Sequence, residues 1–273
     1  MKRITILLLT LSLCACYLRP TKWIAIGDSI TYLNDHADET GNRISKGYMS
    51  LISERHPDIS FVNKGFNGWT SGGVASKIET LGLEKADVYT VFLGTNDWWQ
   101  GRPIGNLNDY KNNTGDATIN GAFRIIVNKL RSLNNQARII LITPLQRGDF
   151  VYISDMKNNA FGSYRAKGGQ TLQQVARAIA DIGLYEKIPV VDLYTDSGIT
   201  LDNMVAFKRL KDPNSGLLRD YKYPDYVGVS FNPETDEYPY PKEAINMTYD
   251  GLHPSDKGYL VIADMLEKVI LGH

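Results

Sequence analysis

The sequence is short of cysteine. Its 273 residues contain two, Cys14 and Cys16, so positions beyond 16 offer no disulfide, no thiol nucleophile and no thiolate metal site. It is equally short of net charge: 30 Lys and Arg balance 30 Asp and Glu. That balance removes the basic footprint of a protein that binds nucleic acid or an anionic membrane surface. Long hydrophobic runs are also lacking, because the apolar stretch from Ile4 to Leu13 is too short to span a bilayer. Histidine is scarce, with four in the chain, and a role that needs an imidazole therefore has few candidates.

What the first residues do contain is order. "MKRITILLLTLSLCAC" places Lys2 and Arg3 before the apolar run and small residues after it, the layout of a secretory signal over residues 1–16. Its end, Leu13-Cys14-Ala15-Cys16, resembles the bacterial lipobox. That resemblance implies a lipidated Cys16 as the mature N-terminus and an exported lipoprotein of the cell envelope, tied to the membrane only through this anchor. An ordinary cleaved signal is the alternative. The remainder, 21–273, is one domain by length, and a chain with 43% hydrophobic residues can bury a sizeable core.

Five short β-rich runs alternate with helical patterns. The runs are Trp23 to Ile26, "FVNKG" from Phe61, "DVYTVFLG" from Asp87, "ARIILIT" from Ala137 and "IPVVDLY" from Ile188. Most are too apolar for a sheet with one wet face, which predicts strands covered on both sides. Helical patterns occupy about 47–55, 74–85, 117–133, 171–187 and 255–271. The alternation predicts a three-layer α/β/α fold with a parallel sheet between helices. Residues 198–247, rich in Pro and Tyr, break the rhythm. Such a segment is expected either to wall a substrate site or to pack on the sheet as a surface excursion.

In an open α/β sheet, ligands bind beyond the carboxyl ends of the strands. The residues there are Gly27, Asp28 and Ser29, then Gly65, Asn67 and Gly68, then Gly94, Thr95, Asn96 and Asp97. Acyl transfer needs a hydroxyl nucleophile, a base, a group that orients the base, and donors for an oxyanion. Ser29 offers the hydroxyl and its own N–H, Gly68 a second N–H with no side chain in the way, and Asn96 an amide. Ser29 read alone is also a good helix N-cap. Asp28, Thr95 and Asp97 read as supports of their turns. For the base, His273 is terminal and His56 stands before Pro57 at a helix end, while His36 is close to Ser29 in sequence. His253 has Asp250 three residues upstream, within reach of its Nδ1 in a turn. Trp98 and Trp99 would form either a floor for a sugar ring or packing under a loop. Arg147, after the fourth strand, would either bind an acidic sugar or be solvated.

With those residues assembled, "GDSIT", "NKGFNG", "GTND" and "DGLHP" resemble, in order, the four blocks of the SGNH/GDSL hydrolase superfamily. The resemblance implies a flavodoxin-like sheet of five parallel strands. It assigns Ser29, His253 and Asp250 to a catalytic triad and Ser29, Gly68 and Asn96 to an oxyanion hole, and it implies no metal and no organic cofactor. The implied activity is that of a serine ester hydrolase acting on a small acyl ester or an acylated carbohydrate, with acetyl or other short acyl groups on a sugar as the preferred reading. Lipase, lysophospholipase or thioesterase chemistry would use the same triad. A non-catalytic glycan-binding protein would call for a broken triad, and every part of one is present here.

Overall fold

A computed structural model describes residues 19–272; the leader 1–16 and its proposed anchor Cys16, like His273, lie outside them. The chain enters through β1 (Thr21–Gly27), turns into the short α1 (Ser29–Tyr32), and continues through α2 (Tyr48–Arg55), β2 (Ile59–Gly65), α3 (Ser71–Ser76) and β3 (Val88–Phe92). Then come α4 (Thr95–Trp99), α5 (Leu107–Lys111), α6 (Ile119–Leu133) and β4 (Arg138–Ile142). A hairpin of β5 (Phe150–Tyr152) and β6 (Asp155–Ala160) precedes α7 (Leu172–Glu186), β7 (Val190–Val191) and α8 (Leu193–Asp196). A second hairpin, β8 (Lys208–Lys211) with β9 (Leu218–Tyr221), and the long α9 (Asp256–Leu271) complete it.

The main sheet has the order β2-β1-β3-β4-β7, and every pairing in it is parallel. Successive residues of a strand point to opposite faces, and here both faces are covered. In β1, Ile24 and Ile26 join one core layer while Trp23 and Ala25 join the other. In β4, Ile139 and Leu141 face the first layer and Ile140 and Ile142 the second. This is why the strand sequences read as continuous apolar runs. Helices α3, α6 and α7 close the first layer, and α2 and α9 close the second. Spacing decides which side of each helix turns inward: α6 buries Phe123, Ile126, Val127 and Leu130, and α9 buries Tyr259, Ile262, Ala263, Leu266 and Ile270.

Two expectations shift. The helix anticipated at 74–85 is α3, which begins at Ser71 because Thr70 caps it, its hydroxyl oxygen accepting the N–H of Gly73 at 3.0 Å, and which ends at Ser76. The segment 198–247 contains β8 and β9 and packs behind the β5–β6 hairpin: the Tyr238 hydroxyl donates to the Val151 carbonyl at 3.0 Å, the Tyr240 hydroxyl to that of Asp149, and Lys208 pairs with Asp149 at 2.8 Å.

Candidate active site

β1 has neighbours on both sides, β2 and β3, so the chain leaves its carboxyl end at the point where the strand order reverses. Ser29 stands there. The turn that presents it is tight. A Cβ on Gly27 would lie 2.0 Å from the Thr31 hydroxyl oxygen, and one on Gly65 would lie 2.2 Å from the Tyr32 nitrogen. The N-cap of α1 is Asp28, whose Oδ1 accepts the Ile30 N–H at 3.0 Å, so the capping alternative for Ser29 is overturned and its hydroxyl is left for other work. Asp28 is buried, and that burial pushes its carboxyl up to about 6.

At the other end of the chain, the turn before α9 folds Asp250 against His253. Asp250 Oδ1 accepts the N–H groups of Leu252 and His253 at 3.0 and 2.7 Å, and its Oδ2 lies 2.7 Å from His253 Nδ1. Those contacts leave Nε2 directed at Ser29 Oγ, 2.9 Å away. A carboxylate on Nδ1 keeps the proton there, so Nε2 accepts the serine O–H. Phe150 meets the imidazole edge-on at 5.4 Å between centroids, and Tyr249 stacks on it at 5.8 Å. Neither aromatic was singled out in the sequence. Tyr249 precedes Asp250 directly, whereas Phe150 comes from the hairpin and carries no local signal. The other two described histidines are elsewhere engaged, His36 stacked on Tyr32 at 3.7 Å and His56 bonded to Glu267 at 2.6 Å.

Facing this array are three donors. Among the described residues the N–H groups of Ser29 and Gly68 meet no protein acceptor. Gly68 has φ +73° with open space where a Cβ would sit, so glycine is required there by backbone conformation and not by room. Asn96 is held by donation from Nδ2 to the Trp69 carbonyl at 3.1 Å. Behind it, Asp97 accepts the N–H and hydroxyl of Ser71, tying α4 to α3. Ser29, Gly68, Asn96 and His253 line one cavity of about 300 Å³, together with Asn67, Trp99, Gln100, Phe150, Tyr152, Leu252 and Arg147.

Three expectations about its walls change. No residue of 198–247 lines the cavity; its wall is the β5–β6 hairpin, and the longer segment supports that hairpin from behind. Trp98 does not reach it either, being fully buried with its ring N–H donating to the Gln170 carbonyl at 3.0 Å, so only Trp99 of the pair can meet a ligand. Arg147 is not solvated, with 2% exposure.

A hydrogen-bonded serine, imidazole and carboxylate beside unspent donors at the switch point of a parallel sheet is an arrangement suited to opening an acyl bond, and the protein is a carboxylic ester hydrolase. It belongs to the GDSL-like Lipase/Acylhydrolase family, whose model matches residues 25–261. The crystal structure of a possible lipase from Chitinophaga pinensis is 61% identical, covers 92% of this chain and 98% of its own, and superposes with a TM-score of 0.91. A lipase/acylhydrolase from Enterococcus faecalis shares the fold at 19% identity, covering 92% of this chain and 96% of its own with a TM-score of 0.53. The acetyl xylan esterase AlAXEase does so at 17%, covering 91% and 99% with a TM-score of 0.54. No curated protein matches the chain.

Proposed function

We propose that the protein removes acetyl or other short acyl groups from a carbohydrate, with Ser29 as nucleophile. The observation that carries this reading is the unbroken chain from Asp250 through His253 to Ser29, opening into a small cavity. In the proposed reaction His253 Nε2 takes the Ser29 proton as Oγ attacks the ester carbonyl carbon. The Ser29 and Gly68 N–H groups and the Asn96 amide hold the oxyanion, and the imidazolium then protonates the departing alcohol. Water, deprotonated by the same imidazole, attacks the acyl-serine and releases the acid. A cavity of about 300 Å³ is at the small end for ligand sites and suits a short acyl group. Its amides, Asn67 and Gln100, and the half-buried face of Trp99 suit hydroxyl groups and a sugar ring.

A lipase reading is favoured by the description of the 61% identical relative and by the apolar Leu33, Phe150 and Leu252 in the lining. A series of p-nitrophenyl esters from acetate to palmitate separates the two. Turnover is expected to be highest at acetate and to fall with chain length; a maximum at long chains would replace the carbohydrate reading with the lipase one. Ser29→Ala is expected to lower acetate turnover by roughly a thousandfold or more. Near-normal turnover in that variant would sink the nucleophile assignment.

A further inference from the structure

Arg147 lines the cavity and yet is 2% exposed, which makes it an unusual arginine. Its guanidinium lies over two aromatic rings, 5.3 Å from the centroid of Trp98 and 5.0 Å from that of Trp99. Nη2 donates to the Phe161 carbonyl at 3.3 Å, and Nε is buried with no partner. Among the described residues no carboxylate pairs with it. The nearest candidates by sequence and field are engaged: Asp149 by Lys208, the Tyr164 hydroxyl and the Gly162 N–H, and Asp250 by His253. Glu39, the acidic residue of the lining, accepts the Tyr32 hydroxyl at 2.8 Å. Burial lowers the Arg147 pKa to about 10, which still leaves a full positive charge at neutral pH.

A desolvated, unpaired cation is expensive to keep, and stacking on indoles offsets only part of that. A fixed guanidinium is well matched to a planar carboxylate, which it can bind through two parallel N–H bonds. We propose that Arg147 is an anion subsite and that the preferred substrates are esters carrying a carboxylate close to the scissile bond. This rests on the esterase reading above and narrows it. The cavity is small, so the carboxylate and the reacting carbonyl belong to one compact residue, with the acid either on the acyl group or on the alcohol, as in an acylated acidic sugar. Lys167, whose Nζ is 4.3 Å from the centroid of the same Trp99 ring, adds a second positive charge near that ring.

Two pairs that differ in one carboxylate test it. On the acyl side, mono-4-nitrophenyl succinate is compared with its methyl ester; on the alcohol side, 4-acetoxybenzoate with its methyl ester, the uncatalysed rate being subtracted from each. In the wild-type protein at least one acid is expected to exceed its neutral partner in kcat/KM by about tenfold or more, the discrimination a buried charged hydrogen bond supplies. The responding pair identifies which side bears the acid. Arg147→Met is expected to abolish the preference and Arg147→Lys to keep part of it. Equal rates within both wild-type pairs, or a preference that survives in Arg147→Met, would overturn the proposal. Should the Met variant not fold, inhibition of the wild type decides: benzoate is expected to inhibit at least about tenfold more tightly than benzamide, and equal inhibition would overturn it. Failure of the esterase reading looks different, since no ester would then turn over while benzoate would still quench the fluorescence of Trp99 beside Arg147.

Discussion

Asp28 sits beside Ser29, buried, with its carboxyl raised from 3.8 to about 6 chiefly by desolvation. The folded protein therefore holds this proton longer than the unfolded chain does. Between pH 3.8 and about 6 the native state binds more protons, so this residue's contribution to stability declines as pH rises through that window, by about 3 kcal/mol in all. Asn in its place keeps an oxygen for the Ile30 N–H and removes the titration. Urea unfolding from pH 4 to 7 is expected to show Asp28→Asn gaining on the wild type by up to about 3 kcal/mol as pH rises. Asp97, also raised by burial, is present in both proteins, so the difference reports Asp28 together with its coupling to Asp97. Parallel stability curves would refute the account. At this scale most of the proposed site could be read in the sequence, because each group assigned to it stands just past a strand or in a turn: Ser29, Gly68 and Asn96 in the first case, Asp250 and His253 in the second. Arg147 could be placed past the fourth strand in the same way, but its burial could not be foreseen. Its burial depends on Trp98 and Trp99, which are distant in sequence and meet it only once β3 and β4 are paired.

The β5–β6 hairpin shows what escapes a periodicity argument. β5 has three residues and an irregular register, and β6, "DMKNNA", is mostly exposed and polar, so neither displays the alternation of a half-buried strand. The same limit applies to 198–247, whose Tyr238 and Tyr240 pack with Val151 and Met156 of that hairpin in a way no regular period encodes. A charged connection joins the segment to the base of the hairpin: Lys208, 4% exposed on β8, whose Nζ meets Asp149 at 2.8 Å. Removing one member of a buried pair strands the other, which commonly costs about 3 kcal/mol. Lys208→Met is expected to lose about that much in urea unfolding. It is also expected to raise KM for p-nitrophenyl acetate more than it lowers kcat, since the hairpin walls the cavity while the bonds among Ser29, His253 and Asp250 do not pass through it. A kcat effect alone would mean that the hairpin positions the imidazole through Phe150 and does not merely bound the substrate.

Across the whole molecule, the hydrogen bond between Ser29 and His253 joins positions 224 residues apart. One end hangs from β1, in the middle of the sheet, and the other from the turn that leads into α9. The two ends are tied again by the Tyr259 hydroxyl, which donates to the Ile30 carbonyl at 2.9 Å and is buried in the layer that α9 closes. Activity should therefore survive only while that layer is docked on the sheet. The opposite layer shares the same strands, through residues that alternate face by face along β1, β3 and β4. Neither layer can come away without exposing the back of the other, which favours a single cooperative transition. Trp23 and Trp98, each fully buried, belong to different layers and make tryptophan fluorescence a report on both. In a urea titration, ester hydrolysis, fluorescence and far-ultraviolet circular dichroism are expected to share one midpoint. Loss of hydrolysis at lower urea, with the other two signals intact, would instead mean that the hairpin wall opens on its own, as a weakly held element can.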